Sequence, residues 1–318
     1  MKCPTMNKLL ILFYMSLTTQ FSLSQDIYTL QNDSIEIKVK KAGAELCSIK
    51  RIPTNQEYLW EADPTIWGGS SPVLFPIVGM LKDETYILDG KKYSMKKHGI
   101  FKYSHDVELA YSTKESLTFR LRYNEETLKQ YPFKFEYLIT FKLENSKLVI
   151  INEVKNLDDK EMYFTLGAHP AFKCPLEEGE KYSDYFLEFE KPETAYTYPI
   201  LKESGLLGEK TDLILNNSQV IELNDHVFDR DALVFKDIQS KSVTLISRIS
   251  GKRVRVDFEG FPYLGFWARP KANYVCIEPW YGVNDPVDTN QNFKTKEGIM
   301  KLDVKSRFIA SYSISILK

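Results

Sequence analysis

The sequence predicts an all-β protein built as one large antiparallel β-sandwich. Apolar and polar residues alternate in one segment after another, with the period of two that a half-buried strand requires. No segment of ordinary helix length shows apolar residues spaced by three and four. The 19 Tyr and 19 Phe among 318 residues also favour sheets. Because no Pro/Gly/Ser-rich linker and no internal repeat divides the chain, we expect a single domain over residues 25–318.

The first 24 residues have a different pattern. Lys2 and Lys8 precede a short apolar run over residues 9–17, and the small residues Ser22 and Ser24 follow it. A basic region, an apolar core and a small-x-small cleavage site predict a secretory signal peptide over residues 1–24, cut near its end. The run is too short to span a bilayer, which takes about 20 residues. We therefore expect export to the periplasm or the medium, the alternative being an N-terminal core strand.

Composition excludes several classes of function. The net charge is −1, and no run of basic residues forms the patch that nucleic acid would require. After cleavage three cysteines remain, Cys47, Cys174 and Cys276, and their wide spacing predicts neither a disulfide framework nor a C-x-x-C metal motif. Stability must then come from a large apolar core.

The first half of the chain is predicted to consist of strands and irregular apolar segments. Its elements are a strand over 35–39, a second over 46–49 after a break at Gly43, a loop-rich zone over 60–69, a buried irregular segment over 73–79 broken by Pro76, and a hairpin over 86–93 that turns at Asp89-Gly90.

The second half is predicted to contain two long hairpins and one short helix. Its elements are a strand over 117–123, a helix of one or two turns after the cap Asn124 and before Pro132, a hairpin over 135–154, loops with short strands over 174–218, a hairpin over 243–258 around Ser250-Gly251, and a terminal strand over 308–316.

The stretch from Tyr274 to Gly282 is the most informative part of the sequence. It begins as an apolar strand and is expected to stop at Pro279, which cannot donate to a sheet ladder. Glu278 would then lie at a strand end, where its carboxylate can face a cleft. Trp280 and Tyr281 follow directly. Flat aromatic faces beside a carboxylate suit a ring with apolar faces and hydroxyl edges, such as a sugar.

Two of the four histidines are the natural partners of Glu278. His98 precedes Gly99 just after the Asp89-Gly90 hairpin, and His169 stands before Pro170 at the end of an apolar strand. Each alone is more typical of a structural role. Meeting on one face of a sandwich, they would exchange protons with Glu278 near neutral pH. The other two histidines, His105 and His226, are expected on the surface.

Other chemistries lack their motifs. The chain has no G-x-S-x-G nucleophile turn, no phosphate loop or dinucleotide fingerprint, and no H-E-x-x-H metal motif. We therefore expect acid–base chemistry on a small sugar, with no metal, no cofactor, no nucleic acid and no stable membrane insertion. A carboxylate and an imidazolium held close together should each favour the charged form of the other.

Five motifs in order carry a family resemblance. They are Val73–Gly79 followed by Leu81–Asp83, His98-Gly99, Leu166–Phe172, Asp231–Phe235 and Cys276–Gly282. Together the sequence resembles the aldose 1-epimerase (galactose mutarotase) family, in particular its divergent bacterial branch. The resemblance implies a galactose mutarotase-like supersandwich that interconverts the α and β anomers of a free aldohexose through the open-chain aldehyde, without a cofactor.

The resemblance also implies roles for individual residues. Glu278 would take the proton of the anomeric hydroxyl, His169 would protonate the ring oxygen, and His98 would orient the sugar. Trp280, and Asp225 or Asp231, would contact the substrate.

One position departs from the family pattern. The family usually has Arg directly after the glycine that matches Gly79, whereas this chain has Met80. Lys82 lies two residues on and would point to the same side of a strand, but an ammonium does not reproduce a planar guanidinium.

Two other functions stay open at this point. The first is a carbohydrate-binding protein that has kept the cleft and lost catalytic turnover. The reason to consider it is Met80, which replaces the usual Arg. The second is a glycoside hydrolase that pairs Glu278 with an aspartate such as Asp285, since hydrolases normally need two carboxyl groups about 5–9.5 Å apart.

Overall fold

The computed structural model describes residues 27–317, so the predicted signal peptide and its cleavage site lie outside the described residues. Within this range β-strands dominate and the only α-helix is α1 (Glu125–Gln130). Short 3-10 helices cover Ala42–Ala44, Lys82–Glu84, Phe101–Tyr103, Tyr182–Asp184 and Phe293–Thr295. No helix in the described part is both long and apolar enough to cross a membrane.

The strands of the first half are, in chain order, β1 (Ile27–Gln31), β2 (Ile35–Lys40), β3 (Glu45–Arg51), β4 (Gln56–Glu57), β5 (Val73–Leu74), β6 (Thr85–Leu88), β7 (Lys91–Ser94), β8 (Glu108–Ser112), β9 (Ser116–Arg122), β10 (Phe135–Glu144) and β11 (Lys147–Asn156). Those of the second half are β12 (Met162–Phe164), β13 (Leu166–Ala168), β14 (Ala171–Lys173), β15 (Tyr185–Tyr196), β16 (Tyr198–Pro199), β17 (Leu213–Glu222), β18 (Leu233–Lys236), β19 (Ser242–Ser247), β20 (Gly251–Asp257), β21 (Tyr263–Trp267), β22 (Tyr274–Tyr281), β23 (Met300–Leu302) and β24 (Arg307–Ile316).

Two large antiparallel sheets form the body of the protein. One has nine strands in the order β17-β15-β19-β20-β24-β11-β10-β9-β8. The other has the order β16-β18-β21-β22-β13-β5, with β14 also paired to β22. Three smaller sheets complete the described part of the chain. One has four strands in the order β1-β2-β3-β4, and the other two are the pairs β6-β7 and β12-β23. The all-β prediction is confirmed.

Aromatic rings fill the space between the two large sheets. Phe189 of β15 meets Phe266 of β21 with ring centroids 5.8 Å apart, and Tyr137 of β10 meets Phe75, just after β5, at 4.9 Å. All four side chains are buried. Ring pairs of this kind add about 0.5–1.5 kcal/mol beyond the burial of their area. The sandwich therefore holds its second sheet, which carries the candidate site, firmly against the first.

Local sequence signals predicted several elements correctly. The Asn124 side chain accepts a hydrogen bond from the Thr127 amide at 2.8 Å and caps α1. Asp89 and Gly90 both have positive φ, as a two-residue hairpin turn between β6 and β7 requires. The hairpins β10–β11 and β19–β20, the irregular buried segment around Pro76 and the terminal strand β24 also agree with prediction. Cys47, Cys174 and Cys276 are free.

The prediction of loops with short strands over residues 174–218 was wrong in part, because it fits only the stretches outside β15 and β17. Two long strands, β15 and β17, cross this region at the edge of the nine-stranded sheet. Register shifts after Glu188 and around Glu193 disturb their pairing, so the apolar period is lost partway along each strand. The buried carboxylate of Glu193 also looks like a surface charge in the sequence, yet it accepts hydrogen bonds from the amide and the hydroxyl of Ser240.

The predicted strand end at Pro279 was also wrong, because β22 continues to Tyr281. Residues two apart in a strand direct their backbone groups toward the same neighbour. The amide of Ile277 donates to Pro170, so the nitrogen of Pro279 faces the same side. On its other side β22 pairs with β21 as far as Trp280, so a missing N–H on one side does not end the strand. Glu278 consequently lies within a strand, on a rigid support.

Candidate active site

His98 is held by a tight loop packed against the segment that follows β5. Its amide donates to the Gly79 carbonyl at 2.8 Å, and the Gly79 amide donates to Nδ1 of His98 at 3.1 Å. Because Nδ1 accepts, neutral His98 carries its proton on Nε2. A Cβ on Gly79 would lie 2.0 Å from Asn284 Oδ1, and one on Gly99 would lie 2.3 Å from the Phe75 carbonyl. Both glycines are therefore required for this close approach.

His169 lies in the break between β13 and β14, and three aromatic rings surround it. Trp67 stacks on the imidazole with centroids 5.0 Å apart, and Trp267 meets it edge-on at 5.8 Å. The His98 ring approaches edge-on at 5.7 Å. These contacts fix the plane of the His169 ring, so that its nitrogens point in defined directions.

The Trp280 indole lies over two glycines, Gly167 in one flanking strand and Gly265 in the other. A Cβ on Gly167 of β13 would lie 2.7 Å from the indole, and one on Gly265 of β21 would lie 2.6 Å from it. The indole is buried and forms part of the pocket wall beside Glu278. The glycines therefore make room for an aromatic surface at the place where a sugar ring would pack.

Glu278 and His169 form a close pair in this pocket. The distance from Glu278 Oε2 to His169 Nε2 is 3.3 Å, and Glu278 is only 1% exposed. The approach does not meet the angular criteria for a hydrogen bond. Glu278 Oε2, His169 Nδ1 and Trp280 Nε1 are all shielded from solvent without a hydrogen-bond partner among the described residues. Catalytic contacts in free enzymes are often misaligned in this way and tighten when substrate binds.

Burial controls the protonation of the three residues. It raises the pKa of Glu278 well above 4.5, with Lys97 opposing the shift and Asp231 adding to it. It lowers the pKa of His169 well below 6.5, and the cations Lys102 and Lys97 lower it further. The pKa of His98 is lowered for the same reasons. The expectation that the pair would stabilise each other's charges was therefore wrong, since desolvation outweighs their attraction and favours protonated Glu278 beside neutral His169.

The pocket has a volume of about 170 Å³. Its wall combines the acid–base residues with aromatic and cationic side chains. The lining residues are Trp67, Pro72, Lys97, His98, Lys102, His169, Ile200, Asp231, Ala232, Trp267, Glu278, Trp280 and Asn284. A second cavity of about 290 Å³ shares Trp67, Pro72 and Lys102 with it.

The structure brings together five of the residues that the sequence singled out. Glu278, His169, His98, Asp231 and Trp280 all line the pocket.

The other three predicted contacts do not line it. Lys82 donates its ammonium to the Val287 carbonyl at 2.8 Å, Asp225 is exposed, and Met80 lies beside Gly205. Of the two aspartates left open by the sequence, the geometry thus favours Asp231 over Asp225. His105 and His226 are exposed, in agreement with prediction.

Asp285, the proposed second acid of a hydrolase, lies outside the pocket wall. Its carboxylate forms an ion pair with Lys296 at 2.9 Å, and both side chains are 3% exposed. It also accepts a hydrogen bond from the Lys82 amide at 3.1 Å. A carboxylate so fully occupied is unsuited to the role of a second catalytic acid.

Sequence reasoning missed several pocket residues. Trp67 and Trp267 come from segments that carry no motif, so only tertiary packing places them beside His169. Lys97 and Lys102 flank the His98-Gly99 motif, and this proximity was an available signal. Among residues 27–317, neither lysine has a carboxylate within ion-pairing distance. The rim of the pocket is therefore positively charged.

Comparison with known proteins agrees with this geometry. The aldose 1-epimerase family model matches residues 26–297. The chain belongs to the aldose 1-epimerase family. Protein LacX from Lactococcus lactis subsp. lactis, in its plasmid form, is 35% identical over 296 residues, covering 91% of this chain and 98% of LacX. The family assignment made from the five motifs is confirmed, and LacX is a bacterial protein.

Solved structures show the same fold. A galactose mutarotase related enzyme from Lactobacillus acidophilus is 36% identical with a TM-score of 0.87, covering 92% of this chain and 98% of that one. A galactose mutarotase-like protein from Lactobacillus casei is 27% identical with a TM-score of 0.85, covering 92% and 100%. The large antiparallel sandwich is therefore a galactose mutarotase-like fold, and an epimerase-type function is supported.

Proposed function

We propose that this protein is an aldose 1-epimerase that interconverts the α and β anomers of a free aldohexose by acid–base catalysis. The observation that carries the proposal is the Glu278–His169 pair, 3.3 Å apart and buried in a pocket walled by tryptophans. Opening a sugar ring needs one group to take a proton from the anomeric hydroxyl while another gives one to the ring oxygen. Two titratable groups in contact meet that need without a covalent intermediate.

The pair holds one proton in the pH range between its two shifted pKa values. That proton can pass between the two residues, so ionised Glu278 beside protonated His169 is a tautomer of the resting form. In this tautomer Glu278 removes the proton of the anomeric hydroxyl and His169 protonates the ring oxygen. The bond from C1 to the ring oxygen then breaks and gives the open-chain aldehyde.

The ring closes on the other face after rotation about the C1–C2 bond. The aldehyde oxygen takes a proton from Glu278, and His169 takes back the proton of the hydroxyl that attacks. The protein therefore returns to its starting state with no net proton change. His98, which carries its proton on Nε2, orients the sugar as a neutral hydrogen-bond donor, and Trp280 packs against an apolar face of the ring.

Polarimetry of freshly dissolved α-glucose, α-galactose and α-galacturonic acid tests this function. Galacturonic acid is included because Lys97 and Lys102, which form no ion pair with a carboxylate among the described residues, would attract the carboxylate of this sugar. We expect a mutarotation rate above the spontaneous one for at least one of these sugars, lost in Glu278→Gln and kept in His226→Asn, the surface-histidine control.

Two results would overturn the proposal. Saturable sugar binding without any increase in the mutarotation rate would identify a carbohydrate-binding protein. New reducing ends released from an oligosaccharide would identify a hydrolase.

We also propose, from the pattern over residues 1–24, that the mature protein is exported and begins near Gln25. Mass spectrometry of the protein from its native cells should give that start. An intact chain beginning at Met1 would contradict export.

A further inference from the structure

Cys276 lies beside the acid–base pair but has no part in the proposed reaction. It precedes Glu278 by two residues in β22, so both side chains lie on the same face of the sheet. Cys276 is fully buried and forms no disulfide. A free thiol at this position adds a third donor atom to the pair, and it is a donor of a different chemical kind.

The three donors lie close enough to share one ion. One ring nitrogen of His169, Sγ of Cys276 and one carboxylate oxygen of Glu278 all lie within 4.8 Å of one another. A second observation points the same way, since Glu278 Oε2 is buried without a hydrogen-bond partner among the described residues. Buried polar atoms are normally satisfied, and a metal ion would satisfy this carboxylate oxygen here.

The donor set matches a borderline divalent cation. Sulfur, imidazole nitrogen and carboxylate oxygen are the ligands that Zn²⁺ takes in proteins, at about 2.0–2.3 Å. A thiolate and a carboxylate also neutralise the two positive charges, so that the buried ion would leave no net charge. The pocket, which His169 and Glu278 both line, provides the way in and leaves a fourth position for water.

We propose that His169, Cys276 and Glu278 form a binding site for Zn²⁺, and that the bound ion inhibits the enzyme. Binding replaces the proton of the Cys276 thiol and the proton of the Glu278–His169 pair, and both leave to solvent. No oxidation or reduction takes place. Inhibition follows because the acid and the base become metal ligands and can no longer exchange protons with a sugar. The metal site is independent of the proposed function, whereas the inhibition rests on it.

Co²⁺ titration of the mature protein tests the site without reference to activity. We expect a cobalt–thiolate charge-transfer band that saturates at one ion per chain and disappears on addition of Zn²⁺. The band should be lost in Cys276→Ala and in the better-packed Cys276→Ser, and kept in Cys174→Ala, a buried free cysteine elsewhere in the chain. Absence of the band in the wild type, or its persistence in a folded Cys276 variant, would overturn the site.

Mutarotation in the presence of Zn²⁺ tests the inhibition. Wild-type and Cys174→Ala rates should fall with added Zn²⁺ and recover fully with EDTA. The Zn²⁺ concentration for half inhibition should rise at least about 10-fold in Cys276→Ser, with each variant compared to its own rate in EDTA. Equal sensitivity of wild type and Cys276→Ser would overturn the inhibitory role. An inactive wild type that still shows the cobalt band would remove the proposed function and leave the metal site standing.

Discussion

Two buried acids, Asp285 and Glu278, lie only seven positions apart in sequence but differ in their hydrogen-bond and ion-pair partners. Asp285 forms an ion pair with Lys296 at 2.9 Å and accepts a hydrogen bond from the Lys82 amide, while the Lys296 ammonium also donates to the Val283 carbonyl at 2.5 Å. Glu278 approaches His169 at 3.3 Å outside hydrogen-bond geometry, and its Oε2 atom has no partner in the described part of the chain.

The difference separates a structural charge from a functional one. The hydrogen-bonding capacity of Asp285 is used by the protein itself, so this carboxylate stabilises the loop after β22. Glu278 is kept desolvated and unsatisfied, which costs stability but leaves a proton-transfer group free for a ligand. Buried titratable groups with strongly shifted pKa values are concentrated at functional sites for this reason. Burial alone does not distinguish the two acids, whereas their hydrogen-bond partners do.

The largest loss of stability should come from breaking the Asp285–Lys296 ion pair. Asp285→Asn leaves the Lys296 ammonium buried without a counter-charge, and removal of one partner of a buried pair typically costs about 3–5 kcal/mol. Denaturant unfolding measures this loss. Asp212→Asn is the matched control, because it breaks the exposed Asp212–Arg230 pair, where about 0–1 kcal/mol is expected. Equal losses in the two variants would remove the structural role given to Asp285.

Substitution of Glu278 should change the free energy of unfolding by a smaller amount and in the opposite direction. Because the pKa of Glu278 is raised in the folded protein, folding is favoured while this group is protonated, and stability is lost as the pH rises above 4.5 toward the raised pKa. Glu278→Gln removes that loss because the carboxamide stays neutral, so the variant should be more stable than the wild type at neutral pH. The gain should shrink toward pH 4.5. Destabilisation by Glu278→Gln at pH 8 would show that Glu278 is a structural acid like Asp285.

The pH dependence of kcat/KM should be bell-shaped, with each limb set by the residue that burial assigns to it. Below the lowered pKa of His169 the pair gains a second proton and loses its base. Above the raised pKa of Glu278 the pair loses its last proton and has no acid. In buffer with EDTA, the acid limb should therefore have its midpoint clearly below pH 6.5. A midpoint at or above 6.5 would contradict the lowering of the His169 pKa by burial.

The sequence predicted the elements whose local pattern and tertiary environment agree. The hairpin of β10 and β11 keeps an apolar period over its whole length, and Asn124 marks the start of α1 with its own side chain. The strand β15 was missed because register shifts and the buried Glu193 erase the period. The end of β22 was misplaced because its pairing with β21 continues past Pro279 to Trp280, which the sequence does not show.

The site was predictable to the extent that motifs mark it. Glu278, His169 and His98 stand beside glycines or prolines whose backbone geometry the site requires. Trp67 and Trp267 carry no such mark, and their contact with His169 arises only when distant segments pack together. The direction of the pKa shifts was likewise out of reach, because it depends on the burial of Glu278 and His169.

The most direct test of the account is the double variant Glu278→Gln/His169→Asn. Glu278 and His169 act as one proton-transfer unit, and a general acid–base step is typically worth about 10²–10⁴-fold. Each single variant should reduce the kcat of mutarotation by roughly that factor while isothermal calorimetry still detects sugar binding. Once either residue is gone the unit is broken, so the double variant should retain a kcat within about 10-fold of the slower single variant. Losses that multiply in the double variant, or a wild-type rate in Glu278→Gln, would contradict the account.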